Sequence, residues 1–181
     1  GKIILLNGAS SAGKSTLAAA LQDALDEPFW HYSIDHFSAG VLPWERIRAG
    51  EFAWSSLRPA FFDGFHRCLP ALAAAGNNLI VEHIVETEAW LSDLVRLLAP
   101  FDVFFVGVHC PLDELEARER RRGDRRIGEA RNDFATVHVN RSYDFEVDGT
   151  ADAGANADSV IAAWRGRQPS GAFALLRSGA A

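Results

Sequence analysis

Near its N-terminus the chain reads Gly8-Ala9-Ser10-Ser11-Ala12-Gly13-Lys14-Ser15-Thr16. This run matches the pattern G-x-x-x-x-G-K-[ST] at every fixed position, which is the signature of a phosphate-binding P-loop. The apolar run over residues 2–6 predicts a buried strand before it, and leucines at positions 17, 21 and 25 predict an amphipathic helix after it. Because the pattern stands between a strand and a helix, a P-loop is favoured over a chance glycine-rich turn.

The residue types in this loop suit the binding of a nucleoside triphosphate. Glycines let the backbone bend so that several N–H groups point at one phosphate, next to the positive end of the helix dipole. Lys14 can neutralise the β- and γ-phosphates, and the hydroxyl of Ser15 can coordinate Mg²⁺. Residues 8–16 are therefore the predicted site for ATP or GTP with Mg²⁺.

Composition narrows the class of protein. Lysine occurs only at positions 2 and 14, so the Asn-Lys-x-Asp guanine motif of switch GTPases is impossible, although a kinase that uses GTP is not excluded. The net charge of −6 opposes a general nucleic-acid binder. No apolar run reaches about 18 residues and no signal-peptide pattern opens the chain, so we expect no membrane span. Two cysteines among apolar neighbours, Cys68 and Cys110, suggest buried thiols in the reducing cytoplasm.

The rest of the chain alternates between strand-like and helix-like segments. Apolar runs predict strands at 30–34, 79–81, 103–110 and 145–147, and helical spacing predicts helices at 15–25, 60–75, 88–98, 113–122 and 157–164. Thr87 is a candidate helix cap, Pro70 a candidate kink, and residues 36–58 look irregular or partly helical. This alternation predicts an α/β fold whose parallel sheet has helices on both faces. We expect one domain over residues 1–165 and a tail over 166–181 that is either docked or disordered.

Polar residues follow the second and third predicted strands. Asp35 closes the second strand, and ligands bind beyond the carboxyl ends of parallel strands, so Asp35 should share the rim of the sheet with the P-loop. There it can accept the proton of an attacking hydroxyl or hold the metal through water, unless it only caps a helix. Glu82, which ends the third strand, can bind Mg²⁺ through water or orient the substrate. His83 is either a packing residue or, like His36, part of a substrate pocket.

Six arginines lie between positions 118 and 126, and Arg118, Arg122 and Arg125 share one helical face. They can belong to a solvated helix with ion pairs to the acidic residues at 114, 116 and 119, or to a nucleic-acid surface, which the net charge opposes. We favour an Arg-rich lid over residues 118–131, with Gly123 and Gly128 as hinges. Closure would bring Arg122 and Arg125 onto the phosphoryl group in transfer and would exclude water.

Four stretches together carry a family resemblance: residues 6–15, Ile34-Asp35, Arg122-Gly123-Asp124-Arg125 and Tyr143-Asp144-Phe145-Glu146-Val147-Asp148. Over most of residues 2–164 the chain resembles the chloramphenicol phosphotransferase-like family. The resemblance implies a kinase-like P-loop NTPase fold with a five-stranded parallel sheet, and phosphorylation of an antibiotic hydroxyl that confers resistance. It also implies that Asp35 is the general base and that Arg122 and Arg125 contact phosphate. The loop up to Thr150 would border the nucleobase, and Arg118 joins the predicted nucleotide site.

The acceptor substrate is left open. Glu82 and His83 stand where the chloramphenicol enzyme has paired aspartates, and the aromatics Trp44, Phe52 and Trp54 can stack on a planar or sugar-bearing substrate or belong to the core. We expect a small-molecule kinase that transfers the γ-phosphoryl of ATP or GTP to the hydroxyl of a chloramphenicol-like or nucleoside antibiotic. A metabolite or nucleoside kinase and a non-catalytic nucleotide-binding module are the alternatives. The oligomeric state is not indicated.

Overall fold

A computed structural model describes residues 1–122, 128–168 and 171–179. Within these residues the centre is a five-stranded sheet in the order β2-β3-β1-β4-β5, and every neighbouring pair is parallel. The strands are Lys2–Asn7 (β1), Phe29–Ser33 (β2), Asn78–His83 (β3), Asp102–His109 (β4) and Phe145–Asp148 (β5). The helices are Lys14–Ala24 (α1), Ile34–Ser38 (α2), Trp44–Arg48 (α3), Trp54–Ala74 (α4), Glu88–Leu97 (α5), Leu112–Arg122 (α6), Glu129–Thr136 (α7), Ala153–Arg165 (α8) and Ala172–Ser178 (α9). The predicted α/β class is confirmed.

Helices cover both faces of the sheet because the central strand β1 is apolar on both sides. Ile4 and Leu6 pack into one core with side chains of α1 and α8, and Ile3 and Leu5 pack into a second core with side chains of α4, α5 and α9. All four side chains are fully buried. This accounts for the continuous apolar run in the sequence, since a strand covered on both faces cannot alternate polar and apolar residues.

The second strand ends earlier than the sequence predicts. Ser33 is the last residue of the strand and also caps α2, because its hydroxyl accepts a hydrogen bond from the backbone N–H of His36. Asp35 therefore lies in the first turn of α2 and not at the end of the strand, which corrects the prediction. The carboxyl end of the sheet is still its location, since α2 follows β2 directly. A carboxylate in a first helical turn is also favoured by the helix dipole.

Residues 36–58, predicted to be irregular or partly helical, are partly helical, since they contain the end of α2, all of α3 and the start of α4. Short helix α3 precedes α4, which begins at Trp54 and runs unbroken through Pro59 and Pro70 for 21 residues. The sequence predicts a kink or break at Pro70, because a proline in a helix interior destabilises the helix by about 3 kcal/mol. The helix continues because its apolar face, including Phe65 and Leu69, is fully buried against the sheet. Thr87 caps α5 as predicted, by accepting from the N–H of Trp90.

The last described helix, α9, packs against the fold. Phe173 is buried, and its ring stands 5.2 Å from that of Phe105 on β4. The N–H of Ala172 donates to Asp144, which joins the start of α9 to the residue before β5. Among the described residues, no helix combines the length and the hydropathy that a membrane span needs.

Candidate active site

The carboxyl ends of the strands open onto a cavity of about 930 Å³. The P-loop, the start of α2, the end of β3, the end of α6 and the loop after β5 all contribute to its wall. Most of the predicted site residues line it: Ser10, Ser11, Ala12, Gly13, Lys14, Ser15, Thr16, Asp35, Glu82, His83, Arg118, Arg122 and Thr150. The phosphate-binding motif and the candidate base therefore face one space, as ligand binding at the edge of an open parallel sheet requires.

The two fixed glycines of the P-loop are required by close backbone approaches. A Cβ on Gly8 would stand 2.5 Å from the carbonyl oxygen of Val108, which no real side chain tolerates. Gly13 caps α1 with φ of 99°, in the left-handed region that favours glycine. Its position also lies against the loop after β5, since a Cβ there would be 3.1 Å from the carbonyl oxygen of Gly149. Both glycines let the loop curve tightly around the place of a phosphate.

Lys14 lies inside the curve of the loop. Its side chain is buried, and Nζ donates to the carbonyl oxygens of Gly8 at 2.8 Å and Ala9 at 2.7 Å. Gly8 and Ala9 are outside the cavity lining, and these carbonyls are their contribution to the site. A phosphate in the cavity would offer the ammonium a stronger, charge-assisted partner than the carbonyls do.

Glu82 joins the P-loop to the neighbouring strands. One of its carboxylate oxygens, Oε2, accepts from the hydroxyl of Ser15 at 2.9 Å, and the other pairs with Nε2 of His31 on β2. Burial by itself would raise the pKa of this carboxyl group. The hydrogen bonds from His31 and Ser15 and the charge of Lys14 outweigh burial, so the pKa of Glu82 lies below its usual value. Glu82 is therefore ionised at neutral pH beside the Ser15 hydroxyl.

The wall beyond β2 and β3 combines an exposed carboxylate with aromatic rings. Asp35 lines the cavity there, and the ring of Phe62 is stacked on Trp90 with centroids 4.5 Å apart. His83 is fully buried beneath, with Nε2 2.7 Å from Nε2 of His66. Burial and the neighbouring His66 hold the pKa of His83 well below its usual range. His83 is thus a neutral ring in the floor of the cavity.

Arg118 bridges the two loops of the nucleotide side. Its Nη1 donates to the carbonyl oxygen of Gly149 at 3.1 Å and to that of Ser11 at 3.3 Å, while Nε pairs with Glu114 on the same helix. The guanidinium therefore ties the P-loop to the loop that follows β5. The ion pair to Glu114 is one that the solvated-helix alternative predicts, and nucleotide binding by Arg118 stays a prediction.

The Arg-rich lid is only partly within the described residues. Arg122 lines the cavity at the end of α6, whereas Arg125 and Gly123 lie outside the described part of the chain. Gly128 starts α7 in a left-handed turn, and its N–H is held by buried Glu119 at 2.8 Å. This hydrogen bond fixes the turn at Gly128, which makes Gly128 a poor hinge. Lid closure remains a prediction.

Four predicted substrate residues lie outside the cavity lining of the described chain: His36, Trp44, Phe52 and Trp54. The rings of Trp44 and Trp54 pack on each other with centroids 5.2 Å apart, and Phe52 lies under the guanidinium of Arg46. The ring of His36 stands edge-on to His31 at 4.7 Å. With these contacts the four side chains lie outside the cavity lining, so the structure does not bring them to the site.

Other lining residues were not predicted as site residues. Phe62 comes from the third turn of α4, and Glu86 follows the third strand by three residues, where it pairs with Arg58. Ile34, Arg121, Asp152 and Asn156 also line the cavity. A carboxylate shortly after a parallel strand was the available signal for Glu86, whereas helical spacing alone cannot say that Phe62 faces a cavity.

The family model described as chloramphenicol phosphotransferase-like protein matches residues 1–165. The chain belongs to this family. A Mycobacterium tuberculosis relative, provisionally named an O-phosphotransferase, is 36% identical over 173 residues, which cover 83% of this chain and 76% of the relative. The family membership and the P-loop cavity together make the chain an O-phosphotransferase.

Solved structures share the fold of this chloramphenicol phosphotransferase-like chain. The Mycobacterium tuberculosis APS kinase CysC, in complex with AMPPNP and APS, superposes with a TM-score of 0.68 at 18% identity, covering 91% of this chain and 98% of that one. The Deinococcus radiodurans tunicamycin resistance protein superposes with a TM-score of 0.62 at 17% identity, covering 89% and 94%. The predicted kinase-like P-loop fold is thereby confirmed.

Two oxygen donors in the cavity are of the type that suits Mg²⁺. Ser15 and Glu82 place a hydroxyl and a carboxylate side by side, and oxygen is the ligand type that Mg²⁺ prefers. Mg²⁺ keeps several waters and needs few protein ligands when phosphates share its coordination. The pair is therefore sufficient for the protein's share of such a site.

Proposed function

We propose that the chain transfers the γ-phosphoryl group of ATP or GTP to a hydroxyl of an uncharged, ring-bearing small molecule, with an antibiotic as the leading acceptor. The observation that carries the proposal is that Asp35 and the P-loop line one cavity. Asp35 follows β2, whereas the P-loop follows the central strand β1, so the two reach the cavity from different directions. An acceptor hydroxyl can therefore stand between a carboxylate and a bound phosphate.

The strand order supports separate acceptor and nucleotide ends. The strands β2 and β3 lie on one side of β1, and they bring Asp35, Phe62 and Glu86 with their following segments. On the other side β4 and β5 bring Arg118 and Thr150. We assign the first side to the acceptor and the second to the nucleoside, so that the γ-phosphate over the P-loop points toward the acceptor.

In the proposed reaction the nucleotide end binds and orients the phosphates. The amides of the P-loop and the ammonium of Lys14, released from its carbonyl partners, hold the β- and γ-phosphates. Ser15 and Glu82 would hold Mg²⁺, which when bound neutralises charge on the β- and γ-phosphate oxygens. Arg122 and Arg125 would stabilise the phosphoryl group in transfer from the predicted lid.

At the acceptor end Asp35 is the proposed general base. The acceptor oxygen attacks the γ-phosphorus as its proton passes to the Asp35 carboxylate, and the bond from that phosphorus to the bridging oxygen of the nucleoside diphosphate breaks. Asp35 is exposed to the cavity, so a carboxylate there has room for a substrate hydroxyl. Deprotonation by a positioned carboxylate contributes about 10²- to 10⁴-fold in rate.

The chemistry of the acceptor wall supports an acceptor without negative charge. Among the described residues this wall carries the carboxylates of Asp35 and Glu86, of which Glu86 is paired with Arg58. Carboxylates at this end would repel an acid or a phosphate ester. The ring of Phe62 offers a face for a planar group. The shared fold of the tunicamycin resistance protein is the reason to include nucleoside antibiotics with chloramphenicol-like compounds.

Mass spectrometry after incubation with ATP or GTP and Mg²⁺ tests the proposal. The acceptor panel contains chloramphenicol, tunicamycin, an uncharged nucleoside and a sugar acid, and the expected product is a singly phosphorylated antibiotic. Phosphorylation of only the nucleoside or the sugar acid would indicate a metabolite kinase and overturn the antibiotic assignment. Nucleotide binding with no product on any acceptor would indicate a binding module. We place the reaction in the cytoplasm, where both nucleotides and Mg²⁺ are supplied.

The Asp35→Asn variant separates chemistry from binding. We expect its turnover to fall by about 10²- to 10⁴-fold while its affinity for the nucleotide stays within about twofold, because Asp35 lies on the acceptor side. Asp26→Asn is the matched control, since Asp26 is an exposed carboxylate outside the cavity lining that pairs with Arg165. Normal turnover by Asp35→Asn would remove Asp35 as the base.

A further inference from the structure

A chain of contacts runs from the second strand to the P-loop through Glu82. Nε2 of His31 pairs with Oε1 of Glu82, and Oε2 of Glu82 accepts from the hydroxyl of Ser15 at 2.9 Å. The register of β2 with β3 places Ser33 opposite Glu82 and His31 two residues earlier, on the same face. His31 is outside the cavity lining, so it reaches the site only through Glu82.

The two carboxylate oxygens of Glu82 therefore contact two different residues, Oε1 contacting His31 and Oε2 contacting Ser15. The Glu82 side chain is 10% exposed and that of His31 15%, so little solvent reaches their contact. A buried carboxylate oxygen that loses its donor is costly, and the side chain then turns toward another donor. Turning would also move Oε2 away from the Ser15 hydroxyl, because the two oxygens belong to one rigid group.

The orientation of His31 is itself restricted. The ring of His36, from the first turns of α2, stands edge-on to it with centroids 4.7 Å apart. His31 is consequently held between the helix that carries Asp35 and the carboxylate that contacts Ser15. It is well placed to fix the geometry of Glu82, since the β2 backbone and the His36 ring limit its movement.

We infer that His31 is a positioning residue that holds Glu82 on the Ser15 hydroxyl and so sets the affinity of the site for Mg²⁺-bound nucleotide. The inference rests on the proposed function only in taking Ser15 and Glu82 as the metal-side groups. Residues that orient metal ligands typically change affinity by about 10- to 100-fold when removed. The effect of His31 should therefore be seen in the gain in nucleotide affinity that Mg²⁺ confers.

Isothermal titration calorimetry with ADP, in the presence of Mg²⁺ and then of EDTA, measures that gain without any acceptor. We expect His31→Ala to reduce the Mg²⁺-dependent gain by at least about tenfold while the affinity measured in EDTA is unchanged. His31→Gln should retain most of the gain because its amide can donate to Oε1. His31→Asn should lose it, since its side chain is too short to reach. These two amides keep the test valid should His31→Ala fail to fold.

A matched control is available at the far side of the sheet. His109 on β4 pairs with Glu146 through the same atoms, Nε2 and a carboxylate oxygen, but is exposed and outside the cavity lining. His109→Ala should leave the Mg²⁺-dependent gain unchanged. An undiminished gain in both His31→Ala and His31→Asn overturns the inference, as does an equal loss of affinity with Mg²⁺ and with EDTA, or a wild-type protein without any gain.

The outcome is separable from that of the proposed function. A protein that shows the His31-dependent gain but phosphorylates no acceptor refutes the transfer proposal and leaves the role of His31 intact. A protein that phosphorylates an antibiotic while His31→Ala keeps the full gain refutes the role of His31 alone.

Discussion

Replacing Asn7 with alanine should lower the free energy of unfolding by about 3 kcal/mol. Asn7 is fully buried at the end of β1, where its Nδ2 donates to Tyr143 Oη at 2.8 Å and to the carbonyl oxygen of Val137 at 3.1 Å. Its Oδ1 accepts from the N–H of Val85 at 2.8 Å. The Asn7 side chain thus joins β1 to three other segments. Val85 follows β3, Val137 follows α7, and Tyr143 lies two residues before β5.

The magnitude follows from what each partner loses. The N–H of Val85 is left buried without its acceptor, which costs about 1–3 kcal/mol, and the two bonds from Nδ2 contribute about 0.5–1.5 kcal/mol each. Tyr143 keeps a partner, because its hydroxyl also lies 2.7 Å from Nδ1 of His138, and this reduces the total. A domain of this size is stable by about 5–15 kcal/mol, so the variant should fold.

Urea unfolding followed by circular dichroism at neutral pH measures this change. The midpoint should fall while the slope m stays constant, because the same surface is exposed on unfolding. Asn77→Ala is the control, since the Asn77 side chain donates a local hydrogen bond to the carbonyl oxygen of Leu72, and its loss should cost about 1 kcal/mol. An Asn7→Ala variant no less stable than this control would refute the view that Asn7 links the segments.

Two further predictions concern the stability of the fold. Phe173→Ala should cost about 3–5 kcal/mol in urea unfolding if α9 belongs to the cooperative fold, whereas a change below about 1 kcal/mol would show that the helix is dispensable. Burial, together with His109, lowers the pKa of His138 to about 4, so the folded state binds no proton there between about pH 6.5 and 4 while the unfolded state does. Stability should therefore fall as the pH drops from about 6.5, and His138→Gln should lessen the fall from pH 7 to 5 by about 1 kcal/mol after allowance for the partial exposure of the ring. An unchanged difference between the two pH values would contradict this assignment.

The sequence was sufficient for the P-loop and the parallel sheet because each rests on local or strongly periodic signals. The motif around Lys14 needs specific residue types at fixed spacing, and buried parallel strands are continuous apolar runs. The position of Asp35 was less well predicted. After Ser33 the chain can either continue as a strand or begin a helix, and the helix depends on whether the N–H of His36 lies within reach of the Ser33 hydroxyl.

The residues of the acceptor wall could not be predicted from the sequence, and the reason is different. Residues 34–74 form three helices whose directions depend on tertiary packing, so the spacing of aromatics could not separate Phe62, which lines the cavity, from Trp44 and Trp54, which pack on each other. His31 had a detectable signal, since strand alternation places it on the face of Ser33. Its partner on β3 became evident only from the register of the two strands.

The strand order also has a consequence for how such enzymes diversify. In the proposed arrangement, the stretches that border the acceptor lie between residues 33 and 86 and those that border the nucleoside lie after residue 107, on opposite flanks of β1. The acceptor specificity of these enzymes can consequently change through substitutions within one contiguous stretch of the sequence. The P-loop before this stretch and the loops after residue 107 would stay unchanged, so a new acceptor specificity would start from an intact nucleotide site.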